Sequence, residues 1–128
     1  MQLKEATHEG IDVFALRGEI DLHFAPSLRS VLQAKINEHC PALIVDLAQV
    51  SFIDSTGLSV LIEYFRNFGR HGGAFCLCGL SDELKEIFQI IVRLDRIIPM
   101  FATVNEAANA IHSGDVARKV RSNSHKES

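Results

Sequence analysis

The chain has 128 residues, 47% of them apolar, and a formal net charge of −3, which fits one domain able to build a core without metal or disulfide staples. No apolar run approaches the roughly 18 residues of a membrane span, the opening MQLKEATHEG lacks the apolar core of a secretory signal, and the charge supplies no basic field for nucleic acid. Its three cysteines, an odd number, suit free thiols in a reducing compartment, so a cytoplasmic protein with neither membrane insertion nor direct nucleic-acid binding is expected.

The stretch from Gln2 to Thr7 reads as a first strand. IDVFALRG, residues 11 to 18, alternates Ile11, Val13 and Ala15 with Asp12, Phe14 and Leu16, and with Gly10 as a turn the two segments predict a hairpin. From Pro26 the spacing is helical, with Leu28, Val31, Leu32 and Ile36 on one stripe. After Pro41, ALIVDL (residues 42 to 47) is a continuous apolar run of the kind used by a strand covered on both faces. Leu58, Leu61, Ile62 and Phe65 then repeat at helical spacing and predict a helix ending near Gly69. AFCLCG, residues 74 to 79, reads as a buried strand. Ser81 to Ile91 carries a third helical pattern through Leu84, Ile87 and Phe88, and a short apolar piece follows. Thr103 and Glu106 have capping-box spacing and open a last helix through Ala107, Ala110 and Ile111. Helices alternating with strands predict an α/β fold: a small mixed, largely parallel sheet with an N-terminal hairpin and about four helices packed against it. Residues 1 to 112 form the expected domain. Residues 113 to 128, polar and without period, read as a disordered tail.

The joint FIDSTGLSV, residues 52 to 60, places an acid and two hydroxyls between strand and helix. The expected layout has the strand ending near Leu47, a connection through Val50 to Asp54, and Ser55 or Thr56 at the helix N-cap. A hydroxyl there stands at a positive helix end, where unsatisfied N–H groups favour an anion such as a phosphoryl group, and Gly57 keeps that approach clear of a side chain. Spacing alone favours the plainer reading of the same residues, Ser55 as an ordinary cap and Asp54 as a first-turn acid.

VDLAQVSFIDSTGLSVL, with LRGEIDLHFAPSLR before it and GLSDELKEIFQ after it, resembles the STAS family of sulfate transporter and anti-sigma factor antagonist domains, most closely the stand-alone bacterial antagonists. The resemblance runs from about Gln2 to Ile111. It implies a partner switch, not an enzyme: Ser55 is the residue phosphorylated by an anti-sigma factor serine kinase, the unphosphorylated protein binds that kinase and frees a sigma factor, and a metal-dependent serine phosphatase resets it. No cofactor is implied. Asp54 is expected to orient the hydroxyl and contact the kinase, and Thr56 to serve as cap or secondary acceptor. Asp21, at the same end of the sheet, is either functional or an ordinary turn aspartate, and His23 and Phe24 extend the expected partner surface, as does the Gly57 approach. Ser59 stands where many relatives have glycine, which bears on partner choice, and Val92 and Arg93 depart from a common Thr-Gly. The resemblance also allows a second role, an adaptor subunit of a transport complex whose hydroxyl is only a docking contact.

Other features carry less. Cys76 and Cys78 share one strand face but lack a second pair at zinc-site spacing. The GRHGGA stretch, residues 69 to 74, follows a helix and precedes a strand, the reverse of a nucleotide-binding loop. Asp46, read as ending a parallel strand, raises a receiver-like phosphoaspartate alternative that lacks its acidic pair.

Overall fold

Glu9 and Gly10 both adopt positive φ, 53° and 82°, the signature of a two-residue type I′ turn whose twist suits a hairpin. That turn joins β1 (Gln2–His8) to β2 (Ile11–Ile20) in antiparallel register, with His8 opposite Ile11 and Gln2 opposite Arg17. The computed structural model describes residues 2–91 and 98–114. Within them follow α1 (Ala25–Asn37), β3 (Ala42–Ile53), α2 (Ser55–Arg70), β4 (Ala74–Cys78), α3 (Asp82–Ile91), β5 (Met100–Phe101) and α4 (Val104–His112). The expected elements are all present. The stretch holding Val92 and Arg93, and the tail from residue 115 onward, lie outside the described residues.

The five strands stand in chain order, with every pair after the hairpin parallel. Right-handed crossovers between strands placed in sequence order deliver each connecting helix to the same face. Leu28 and Leu32 of α1, Leu58, Leu61, Tyr64 and Phe68 of α2, and Leu84 and Phe88 of α3 accordingly meet Phe14, Leu16, Leu43, Val45 and Leu77 in the main core. The opposite face is covered by α4, whose small Ala107 and Ala108 lie on Ile11, Val13, Ile44, Cys76 and Cys78. Thr103 caps α4 by accepting from the Glu106 N–H at 3.1 Å, while the Glu106 carboxylate accepts from the Ala102 N–H at 3.2 Å.

Cover on both faces explains the continuous apolar run at the start of β3, and its loss explains what comes next. Beyond Leu47 the strand continues for six more residues to Ile53 with Ala48, Gln49, Ser51 and Phe52 exposed, so the expected end near Leu47 is incorrect. The segment from Val50 to Ile53 is strand, not connection. Its pairing with β2 slips twice, between Ala15 and Arg17 and between Gly18 and Glu19, and each slip inserts one extra residue into β3. A single extra residue reverses which face every later side chain takes, and a second restores it. Ser51 is the second: Gly18 pairs with Val50 and Glu19 with Phe52. Val50 and Ile53, three apart, therefore both enter the core, and Ile53 pairs with Ile20.

A charged cluster ties the hairpin to α1. Lys35, only 8% exposed, places Nζ 3.0 Å from both Glu5 Oε2 and Asp12 Oδ2. Burial pulls the Lys35 ammonium down, but its bonds to Asp12 and Glu5 outweigh burial and hold it above its ordinary value. Those partners explain why a lysine is tolerated on the buried stripe of a helix.

Candidate switch site at the ends of β2 and β3

Parallel pairing brings the carboxyl ends of β2 and β3 side by side, with Ile20 opposite Ile53. The chain leaves both ends through an aspartate. Asp21 Oδ1 accepts from the backbone N–H of His23 and of Phe24, each at 3.1 Å, an Asx-type turn that starts α1. The Asp54 N–H donates to the Ile20 carbonyl at 3.1 Å, and Asp54 is extended, with φ −97° and ψ 178°.

Asp54, rather than Ser55 or Thr56, is the N-cap of α2: its Oδ1 accepts from the Gly57 N–H at 2.9 Å. Its other oxygen accepts from the Leu22 N–H at 3.0 Å, stitching the loop after β2 to the start of α2. The carboxylate is thus occupied with backbone, and no hydrogen bond joins it to Ser55 Oγ, contrary to the expectation that it orients that hydroxyl. Ser55 and Thr56 are the first two residues inside the helix, so the expected hydroxyl cap gives way to the aspartate, whose charge also suits the positive helix end.

Ser55 is exposed, and its hydroxyl has no hydrogen-bond partner among the described residues. Its carbonyl accepts from Ser59 Oγ at 2.8 Å, so Ser59 bonds back along the first turn and stays on the exposed side. Thr56 is half-buried. Gly57 is buried, and what its missing side chain makes room for is the protein itself: a Cβ there would stand 2.7 Å from Ile20 Cγ2 and 2.8 Å from the Ile20 carbonyl oxygen. Its contribution is close packing of α2 onto β2 rather than an open approach for a ligand. His23 is exposed, whereas Phe24 is half-buried against the core, which leaves it little surface to offer.

Sequence reasoning missed two neighbours. Leu22 is 63% exposed and Phe52 44%, the two large apolar side chains that the described residues leave to solvent. Leu22 sits between two residues singled out from the sequence and carries no motif of its own. Phe52 reads as interior until the extra residue Ser51 is known.

Elsewhere the picture is plain. Asp46 lies within β3, not at its end, and its Oδ1 accepts from the Ala48 N–H at 3.0 Å, which removes the geometry on which a receiver-like site rested. Cys76 and Cys78 lie under α4, where burial pushes both thiols up to about 12. Among the described residues, no group of three or more His, Cys, Asp or Glu side chains could hold a metal ion, and no helix is long and apolar enough to cross a membrane.

Comparison with known proteins agrees with this geometry. An anti-sigma-B factor antagonist of Listeria monocytogenes is 36% identical over 90 residues, covering 70% of this chain and 78% of the relative. The crystal structure of an anti-sigma factor antagonist from Mycobacterium paratuberculosis superposes with a TM-score of 0.78 at 28% identity, covering 87% of this chain and 93% of that one. The Bacillus cell fate determinant SpoIIAA in its phosphorylated form superposes with a TM-score of 0.64 at 26% identity, over 86% of this chain and 97% of that one. The STAS domain family model matches residues 2–107, and with hairpin, parallel sheet and the Asp-Ser-Thr-Gly joint in place, the chain belongs to the STAS domain family.

Proposed function

We propose that the protein is an anti-sigma factor antagonist, switched by phosphorylation of Ser55, which binds an anti-sigma factor when unmodified and so releases a sigma factor. The observation that carries this reading is the exposed, unpartnered Ser55 hydroxyl on the first turn of α2, beside a cap whose carboxylate is already committed to backbone. The relatives named as antagonists, and the phosphorylated form of SpoIIAA among similar structures, support it. In this reading the chain is a substrate. The anti-sigma factor is the serine kinase that supplies the phosphate, and a metal-dependent serine phosphatase removes it.

Release follows from charge. A phosphate adds about −1.5 to −2 charges and three strong acceptors next to the Asp54 carboxylate. In the free protein the Ser55 and Thr56 N–H groups, which precede the capped Gly57, and the helix dipole ease that charge. In a complex that excludes water the phosphate loses its hydration while the neighbouring carboxylate repels it. Weakening a complex from nanomolar to micromolar takes about 4 kcal/mol, within reach of one desolvated phosphate, with no refolding.

The test is mass spectrometry of the protein recovered from its own cells, with a Ser55→Ala variant beside it and binding of both to the anti-sigma factors encoded in the same genome. The reading expects an acid-stable phosphate on Ser55, absent from the variant, and binding that phosphorylation abolishes. A Ser55 that stays unmodified through growth and stress would overturn the switch and favour a constitutive adaptor.

A further inference from the structure

We propose that Ser59 is the residue that holds a phosphate on Ser55: its hydroxyl turns from the Ser55 carbonyl to a phosphate oxygen and keeps the modified side chain against the second turn of α2. The inference rests on the phosphorylation reading above and names the side chain that would meet the modification.

The first observation is a donor already in place. Residues four apart on a helix are neighbours on one face, and each side chain leans toward the N-terminus. Ser55 and Ser59 are both exposed, and Ser59 Oγ donates to the Ser55 carbonyl at 2.8 Å. A serine hydroxyl is free to rotate, and exchanging a carbonyl for a phosphate dianion replaces a neutral hydrogen bond with a stronger, charge-assisted one.

The second observation gives the phosphate its direction. The Asp54 carboxylate is fixed on the N-terminal side of Ser55 by its bonds to the N–H groups of Gly57 at 2.9 Å and Leu22 at 3.0 Å. Its charge drives a phosphate away from the cap and toward the second turn.

The third is what stands on that side. From Phe52 to Phe65 the sequence contains no lysine or arginine, so no cation of this stretch can pair with the phosphate. Thr56 is half-buried, and Gly57 and Leu58 are buried and carry no side-chain donor. Glu63, next along the stripe, is an acid already paired with Arg29 at 2.8 Å. Ser59 is therefore the exposed donor within one turn, and a bond from it favours the fully ionised phosphate over the protonated one.

The experiment is a phosphorus NMR titration of the full chain with phosphoserine placed at position 55 during translation by an expanded genetic code, in wild-type, Ser59→Ala and Ser59→Thr backgrounds. The wild-type phosphate should titrate about 0.3 pH units or more below that of Ser59→Ala, and Ser59→Thr, which keeps the hydroxyl, should follow wild type. Melting temperatures of each modified and unmodified pair complete the cycle: phosphorylation should be better tolerated in wild type than in Ser59→Ala, while the lost bond to the Ser55 carbonyl cancels in the comparison. Wild-type and alanine titrations that agree within about 0.1 pH units, or a threonine variant that follows alanine, would overturn the inference and leave the antagonist reading standing, because the phosphate in this sample depends on no kinase. That reading fails separately, on a Ser55 that stays unmodified in its own cells, and the inference falls with it.

Discussion

The carboxylate of Asp54 holds the backbone N–H of Leu22 at 3.0 Å across 32 residues of sequence, while its other oxygen caps α2 through Gly57 at 2.9 Å. One side chain thus joins two segments whose ends lie together only because β2 and β3 are parallel neighbours. The residue beside Ser55 is a structural clamp, and its substitution affects stability as well as any partner.

Asp54→Ala should lower stability by about 1–2 kcal/mol, chiefly from the lost N-cap, with the exposed Leu22 N–H passing to water. Asp54→Asn keeps one carbonyl oxygen for Gly57 and should lose less. Urea unfolding compares the two, and amide exchange separates the bonds: exchange at Leu22 should quicken in both variants while Gly57 stays protected in the asparagine one. An alanine variant as stable as wild type would refute the clamp.

Gly57→Ala improves helix propensity by about 1 kcal/mol, yet it should destabilise the protein by about 1–3 kcal/mol net. The added Cβ meets the Ile20 carbonyl oxygen at 2.8 Å and Ile53 Cγ1 at 3.0 Å, and backbone of a paired strand has little room to yield. A melting temperature at or above wild type would show that α2 can shift outward freely.

Lys35→Met retains the aliphatic stem but removes the charge held 3.0 Å from both Glu5 and Asp12. Asp12, which also accepts from the Cys40 thiol at 3.4 Å, is then left without its cation. A loss of about 1–3 kcal/mol is expected, at the low end for a buried pair because both acids are partly exposed. Adding Asp12→Asn to the methionine variant should restore part of it, read by chemical unfolding of the single and double variants.

Stability should fall as pH rises above about 9. Burial lifts the Cys76 and Cys78 thiols from an ordinary value of 9.0 to about 12, and burial lifts Cys40 to about 11. Between those limits the unfolded chain sheds protons that the folded chain keeps, so the unfolded state binds fewer and gains as pH climbs. Below the ordinary thiol range their contribution is full and flat. Urea unfolding at about pH 8 and about pH 10.5 measures the slope, and a Cys76→Ala, Cys78→Ala double variant should flatten it. An unchanged slope in that variant would place the titration elsewhere.

Much of the fold was legible because local rules and tertiary structure agree. Period two in IDVFALRG, the helical stripe through Leu58 and Leu61, the run ALIVDL and the Thr103–Glu106 cap each marked an element that is present. The end of β3 was not legible. Val50 and Ile53 follow neither alternation nor helix spacing, because two extra residues change the face between Asp46 and Ile53, and such bulges answer to the partner strand rather than to the strand's own sequence. The cap was misread for a related reason. Asp, Ser and Thr are all good caps, and the choice fell to Asp54 because its carboxylate can reach Gly57 and Leu22 together.

The sequence by itself determined the α/β order, the family and the serine at the strand-to-helix joint, all of which are written in contiguous residues. Tertiary structure decided that Asp54 is a clamp, that Gly57 makes room for Ile20, and that Leu22 and Phe52 stand exposed beside Ser55. Each of these depends on what lies across a space closed by chain segments more than 30 residues apart in sequence, and no local pattern encodes a neighbour brought in by the sheet.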